Sequence, residues 1–345
     1  MVEILNNEKI LDAKNVGVQF LIGDEYLTAI EDVSLTVHKN EVVALVGESG
    51  SGKSTFATAL MGLHNPHQSK VTGSAVADGT ELIGLSEKNY EKIRGKKIGM
   101  VFQDPLASLN PLMRINDQIK EAMSVHDVIP ANEQDARVIQ LLTEVGINNP
   151  ERIAKLYPHE LSGGMRQRVV IALAIANEPD LIIADEPTTA LDVTIQAQIL
   201  DLIKDIQRKK EAGVILITHD LGVVAETADT VAVMYGGQIV ELAPVVELFN
   251  NPKHPYTRSL LRANPSLDTD SDELYVIKGK IPSLKDMDRN RDLFIDRVDW
   301  MDTEKYSKTK PELHEVAPNH FVRGESWKDF YFPEDQDNSN ESENV

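Results

Sequence analysis

The sequence predicts an α/β fold with a mostly parallel β-sheet at its centre. An N-terminal antiparallel β subdomain, an inserted α-helical subdomain and a C-terminal extension complete it. Three observations carry this reading. Two short apolar runs, Val42–Val46 and Leu181–Ala184, have the length and continuity of strands buried on both faces. Strand and helix signals alternate across residues 163–235, as βαβ units do. That rhythm is absent over residues 105–160, where helical patterns occur with few strand signals.

Residues 11–46 read as strands, because Val16, Val18 and Phe20 alternate, as do Val33, Leu35 and Val37. The run Val42–Val46 leads into a glycine-rich stretch, and Lys53–Leu63 reads as a helix. A mixed region over about 71–103 ends in a strand at Ile98–Phe102. Pro105 and Pro111 then break the chain, and helices are expected over about 116–126 and 133–145. Beyond them come helix Gly164–Asn177, strand Leu181–Ala184, helix Thr194–Lys209 and strand Val214–Thr218. Helix Leu221–Thr227 and strand Thr230–Met234 close the series. The expected division is a core over 11–250 with 105–160 inserted, an extension over 251–332 and an acidic, unstructured tail over 333–345.

The chain has 345 residues, 35 Lys+Arg against 55 Asp+Glu, and a net charge of −20. A surface for nucleic acid or anionic lipid wants the opposite sign. Residues 266–345 hold 20 acidic and 11 basic residues, so this segment supplies −9 of that charge. There is no cysteine, which removes disulfides, thiolate metal sites and cysteine nucleophiles. No apolar run approaches the roughly 20 residues of a membrane helix. The first ten residues lack the basic start and apolar stretch of a secretory signal.

Gly47-Glu48-Ser49-Gly50-Ser51-Gly52-Lys53-Ser54-Thr55 matches GxxxxGK[ST], the phosphate-binding loop. Its glycines let successive N–H groups curl around one anion, and the following helix adds unpaired donors. Lys53 is placed for β- and γ-phosphates, and the Ser54 hydroxyl for Mg²⁺, which leaves many NTPases possible. The strand Leu181–Ala184 ends in Asp185 and Glu186. Asp185 is suited to hold Mg²⁺ directly or through water, and Glu186 to orient and deprotonate an attacking water.

Leu161-Ser162-Gly163-Gly164-Met165-Arg166-Gln167-Arg168 resembles the signature sequence of ABC (ATP-binding cassette) ATPases. Gln103 resembles the Q-loop glutamine, which the family uses in catalysis and at the metal. Thr189-Ala190-Leu191-Asp192 resembles the D-loop, and His219 the switch histidine. Phe20 sits where the family places a ring on adenine, with Tyr26 as the second candidate. The resemblance covers about residues 11–245. It implies a head-to-tail cassette dimer in which Leu161, Ser162, Gly163, Gly164 and Gln167 close over ATP held by the partner. Binding closes such a dimer and hydrolysis reopens it.

Three further stretches resemble the oligopeptide/dipeptide permease subfamily, most of all its D-type ATP-binding subunit. They are Phe102–Pro111, Tyr157–Glu160 and His254–Arg258. The resemblance implies two membrane-spanning permease subunits, a second cassette of F type, an extracellular peptide-binding protein acting indirectly, and no nucleic acid. It implies a peripheral place at the cytoplasmic face of a bacterial cell membrane. Many members of that subfamily carry a cysteine cluster in the extension that holds an iron–sulfur centre. Here Phe294–Val298 and His320–Gly324 resemble its flanks, but Val298 and Gly324 stand where cysteines are expected, so no cluster is expected. Gly279–Leu284 resembles the GxxPSL segment. Alternatives are a cassette for another solute such as nickel, a soluble non-transport ABC ATPase, a different P-loop enzyme and a catalytically silent cassette. Intact Lys53, Asp185, Glu186 and His219 weigh against the last.

Overall fold

The computed structural model describes residues 8–189, 191–264, 275–306, 309–333 and 335. The expected acidic tail lies, apart from residues 333 and 335, outside them. Two sheets organise the chain. Strands β1 (Lys9–Ile22), β2 (Glu25–His38), β4 (Ser69–Ala77) and β5 (Thr80–Glu81) form an antiparallel sheet in the order β2-β1-β4-β5. The main sheet has eight strands. Its parallel part comprises β3 (Val42–Val46), β6 (Ile98–Val101), β7 (Leu181–Asp185), β8 (Gly213–Thr218) and β9 (Thr230–Tyr235). β10 (Gln238–Pro244), β12 (His320–Arg323) and β11 (Leu313–Ala317) add antiparallel strands at one side. The full order is β11-β12-β10-β9-β3-β8-β7-β6.

The central strands are apolar up to their C-terminal ends, where β7 and β8 finish in Asp185 and Thr218, because helices or the second sheet cover both faces. β3, β7 and β8 are buried at every position. On one face, helix Val193–Lys210 and helix Gly163–Ala174 pack through Ile199, Ile203, Val170 and Ile171. The inserted helices Ile115–Ser124 and Gln134–Glu144 join that same core through Ile119, Met123, Val138 and Leu141. On the other face, helix Lys53–Leu60 and the antiparallel sheet meet β3 and β8 through Phe56, Leu60, Val18 and Leu45.

Helix Lys53–Leu60 is shorter than the sequence predicts. Gly62 turns left-handed at φ +59°, its N–H bonds Ala59 O at 3.0 Å, and Leu63 N–H bonds Thr58 O at 3.0 Å. That pair of bonds is a Schellman stop, and glycine adopts its backbone angle without a Cβ penalty.

The extension is continuous with the core. β12 pairs with β10, and aromatic residues of the extension (Phe294, Phe330, Phe332) pack with Tyr235 and Tyr256. Val298, standing at one expected cysteine position, is buried in this cluster; Gly324, at the other, turns at φ +73°.

A buried ion pair fastens β12 to β10. His320 Nε2 lies 2.8 Å from Glu241 Oε1, both side chains being fully buried, and its Nδ1 lies 3.3 Å from Glu247. Burial opposes charge on this imidazole, but the two carboxylates outweigh it and hold its pKa above the usual value. A pKa raised by folding stabilises the fold below the unfolded histidine value near 6.5, and that contribution fades as pH rises through the folded value. The melting temperature of the full chain is therefore expected to fall as pH is raised above about 6.5. His320→Gln is expected to flatten that slope; equal slopes for the two proteins would contradict this role.

Candidate nucleotide site

The phosphate loop begins where β3 ends. Its shape depends on two glycines in particular. Gly47, at φ +150°, leaves no room for a Cβ, which would lie 2.2 Å from Met234 O. Gly52, at φ +106°, turns the chain into the helix; a Cβ there would meet Ile30 at 2.7 Å. No side chain caps that helix, so the amides at its start keep their donors for a ligand.

Lys53 is buried and folds back along the loop. Its ammonium donates to Gly47 O at 2.8 Å, Glu48 O at 2.9 Å and Ser51 Oγ at 3.3 Å. Burial pushes its pKa down, while Glu186, Asp185 and Glu48 pull it back up. Asp185 ends the neighbouring β7, and its Oδ1 accepts the Ser54 hydroxyl at 3.1 Å. Burial raises its carboxyl pKa, and the Ser54 bond counters part of that rise.

Glu186 sits at φ +45°, an angle seldom adopted by residues with a side chain, and strain of this kind concentrates at functional sites. One oxygen, Oε2, accepts Gln103 Nε2 at 2.9 Å and Thr189 Oγ1 at 2.8 Å. The other, Oε1, faces His219 Nδ1 at 3.5 Å. Side chains from two distant segments, Gln103 and His219, and from its own loop, Thr189, thus converge on one carboxylate.

A cleft of 370 Å³ opens beside the loop, lined by Phe20, Gly50, Lys53, Ser54, Gln103 and Glu186 among others. Its size suits a nucleotide, with amide and ammonium donors on one side and an aromatic ring on the other. Phe20 makes an edge contact with His64 at 5.2 Å between centroids. Tyr26 does not line the cleft; its ring lies under the Lys70 ammonium at 3.8 Å. Hydroxyl and carboxylate oxygens, as on Ser54 and Asp185, are the donor set Mg²⁺ prefers. Among the described residues no group of three or more His, Cys, Asp or Glu could hold a metal by itself. Few protein ligands are what Mg²⁺ needs when phosphates complete its shell.

The signature lies elsewhere. Ser162 caps helix Gly163–Ala174 by accepting Met165 N–H at 3.3 Å, and none of residues 161–167 lines the cleft. Ser162, on the exposed rim of the helix start, contrasts with Leu161 and Gln167, which are buried. Asp192 caps the next helix by accepting Ile195 N–H at 3.0 Å. Sequence reasoning assigned no role in the site to Tyr256 or Arg297. Tyr256 Oη accepts the Glu48 N–H at 2.8 Å, and Arg297 pairs with the Glu48 carboxylate at 2.7 Å. Both stand in segments whose resemblance was visible, His254–Arg258 and Phe294–Val298, but their contacts span more than two hundred residues of chain.

Residues 30–189 match the ABC transporter family, and residues 240–297 match the oligopeptide/dipeptide transporter C-terminal region. The chain is 62% identical over 330 residues to the oligopeptide transport ATP-binding protein OppD of Lactococcus lactis subsp. lactis, covering 96% of this chain and 98% of that protein. It is 49% identical over 278 residues to the dipeptide transport ATP-binding protein DppD of Bacillus subtilis, covering 80% and 83%. Among solved structures, the ATP-binding cassette MJ0796, in a dimeric post-hydrolysis state bound to ADP and Pi, superposes with a TM-score of 0.61 at 30% identity. That match covers 68% of this chain and 98% of the other. An apolar strand feeding a phosphate loop, two carboxylates ending its neighbour, and these likenesses along nearly the whole length agree: the chain belongs to the ABC transporter family, among its oligopeptide transport ATP-binding proteins.

Proposed function

We propose that this chain is the ATP-hydrolysing subunit that energises a membrane importer of oligopeptides or dipeptides. The observation that carries the chemistry is that Lys53, Ser54, Gln103 and Glu186 line one cleft, with Asp185 bonded to Ser54 and His219 facing Glu186 from outside that lining. In this reading the amides of residues 47–55 cradle the phosphates and Phe20 stacks on adenine. Ser54, Asp185 and Gln103 hold Mg²⁺, which neutralises phosphate charge when bound. Glu186 accepts a proton from the attacking water through Oε1, the oxygen its two neighbours leave open. His219 stands beside it to hold the terminal phosphate, and Gln103 ties the carboxylate to the inserted subdomain.

The signature residues Ser162, Gly163 and Gly164 then act on a partner cassette's ATP. Their absence from this chain's own cleft supports that arrangement. Two cassettes close around two ATP molecules, and hydrolysis reopens them. Asp192 lies in the loop between Glu186 and the helix it caps, placed to relay between the two sites.

Among the described residues no helix is long and apolar enough to cross a membrane. Transport therefore needs membrane-spanning permease subunits from other chains. The assembly we infer has two of them, an F-type second cassette and an extracellular peptide-binding protein, with this chain peripheral at the cytoplasmic face. The test is affinity purification of the tagged full chain from detergent-solubilised membranes. Two membrane-spanning subunits and a second cassette are expected; recovery of the chain alone or with soluble partners would overturn the assembly. Ser162→Arg is expected to leave ATP affinity of the isolated chain within about twofold while lowering ATPase activity of the assembled transporter at least tenfold. Loss of ATP affinity in the isolated variant would place the signature in its own site instead.

A further inference from the structure

Glu48 is an awkward residue for a phosphate loop. It puts a carboxylate on the loop that must hold a polyanion, in the cleft next to the nucleotide cleft, and like charges at such range repel. Its charge is felt at Lys53, whose pKa it helps to raise. The structure answers that charge from the far end of the chain. Arg297 Nη1 lies 2.7 Å from Glu48 Oε2, and Nη2 lies 3.2 Å from Oε1, a two-bond fork. The side chain of Arg297 is only 6% exposed. Nothing about it is loose: Nε donates to Lys278 O at 2.6 Å, Nη2 also to Gly279 O at 3.3 Å, and the guanidinium lies 5.7 Å and 5.6 Å from the ring centroids of Tyr235 and Phe294.

Other contacts fix the same loop from behind. The Tyr256 hydroxyl takes the Glu48 N–H, and Gly237 N–H bonds Ser51 O at 2.9 Å. Arg289, also from the extension, does not touch the loop but anchors the turn beside Gly237, donating to Gly236 O at 3.2 Å and Ala29 O at 3.3 Å. Residues Gly279–Leu284 overhang Glu48, Ser49 and Gly50 across a 520 Å³ cleft, and Leu284 reaches into the lining of the nucleotide cleft itself.

We propose that Arg297 is a positioning residue of the nucleotide site: by pairing with Glu48 it neutralises the carboxylate of the phosphate loop and holds the loop open to ATP. The C-terminal extension is then a working wall of the site, and anything that displaces it lowers ATP affinity. This rests on the reading of residues 47–55 as the ATP cradle.

The charge argument makes an unusual demand, that a second lesion should mend the first. Arg297→Gln in the full chain is expected to raise the ATP dissociation constant about tenfold, measured by calorimetry, because an uncompensated carboxylate then stands on the loop that holds the triphosphate. Adding Glu48→Gln is expected to bring it back to within about threefold of the parent, since the charge is gone. Arg297→Lys, which keeps the charge but not the fork, is expected to lie between. A folded Arg297→Gln chain with unchanged affinity overturns the proposal, as does a double variant no better than the single one. If Arg297→Gln alone is insoluble, the double variant decides: near-parent affinity supports the proposal and weak affinity overturns it. Lys53→Ala separates this from the cradle itself. Strongly weakened ATP binding there with unchanged Arg297→Gln sinks only the brace; an unchanged dissociation constant in Lys53→Ala sinks the cradle.

Discussion

Glu186→Gln is expected to bind ATP as the parent does and to release phosphate about a thousandfold more slowly, the loss typical of removing a positioned general base. The two side chains are nearly the same size, so the bonds from Gln103 and Thr189 keep an oxygen to donate to. What disappears is the basic Oε1 that faces His219 at 3.5 Å. The backbone at φ +45° is unaffected by the change, so the strained turn that aims the side chain persists. The variant should therefore accumulate ATP-bound, paired cassettes, visible as an ATP-dependent shift in size-exclusion volume. Phosphate release within threefold of the parent would remove Glu186 from its role.

Lys53→Ala is expected to weaken ATP binding by about a hundredfold, through loss of a charge-assisted contact at a buried position. The ammonium now serves the loop itself, bonding two of its carbonyls and a hydroxyl. Its removal both deletes the cation and leaves those acceptors in a poorly hydrated place. The loop amides remain, so some affinity for phosphate survives. Calorimetric titration of the full chain with ATP reads this directly, and an unchanged dissociation constant would contradict the cradle. Lys53→Arg is no safe control, because a planar guanidinium does not fit a site shaped for a point charge.

These two residues and the rest of the site stand at very different distances from legibility. Gly47–Thr55 and Asp185–Glu186 could be read because each is a local pattern: a strand end, a required turn, a donor or acceptor at a fixed offset. Phe20 needed the family resemblance, since a single aromatic in a strand carries no signal of its own. Gln103 and His219 were also legible only through that resemblance, and the structure brings both to Glu186. Gln167 shows the reverse: named with the signature, it is buried beneath the helix start.

The sequence by itself determined the α/β class, the phosphate loop, the acidic strand end and the inserted helices, because strand and helix periodicity and loop chemistry are set by neighbours a few residues apart. Tertiary structure alone decided that the extension completes the sheet and reaches the phosphate loop. Arg297 and Glu48 are 249 residues apart, and no periodicity or motif couples charges across that distance. Only the pairing of β12 with β10 and the packing of Phe294 on Tyr235 bring them within reach, so their contact is a product of the folded whole.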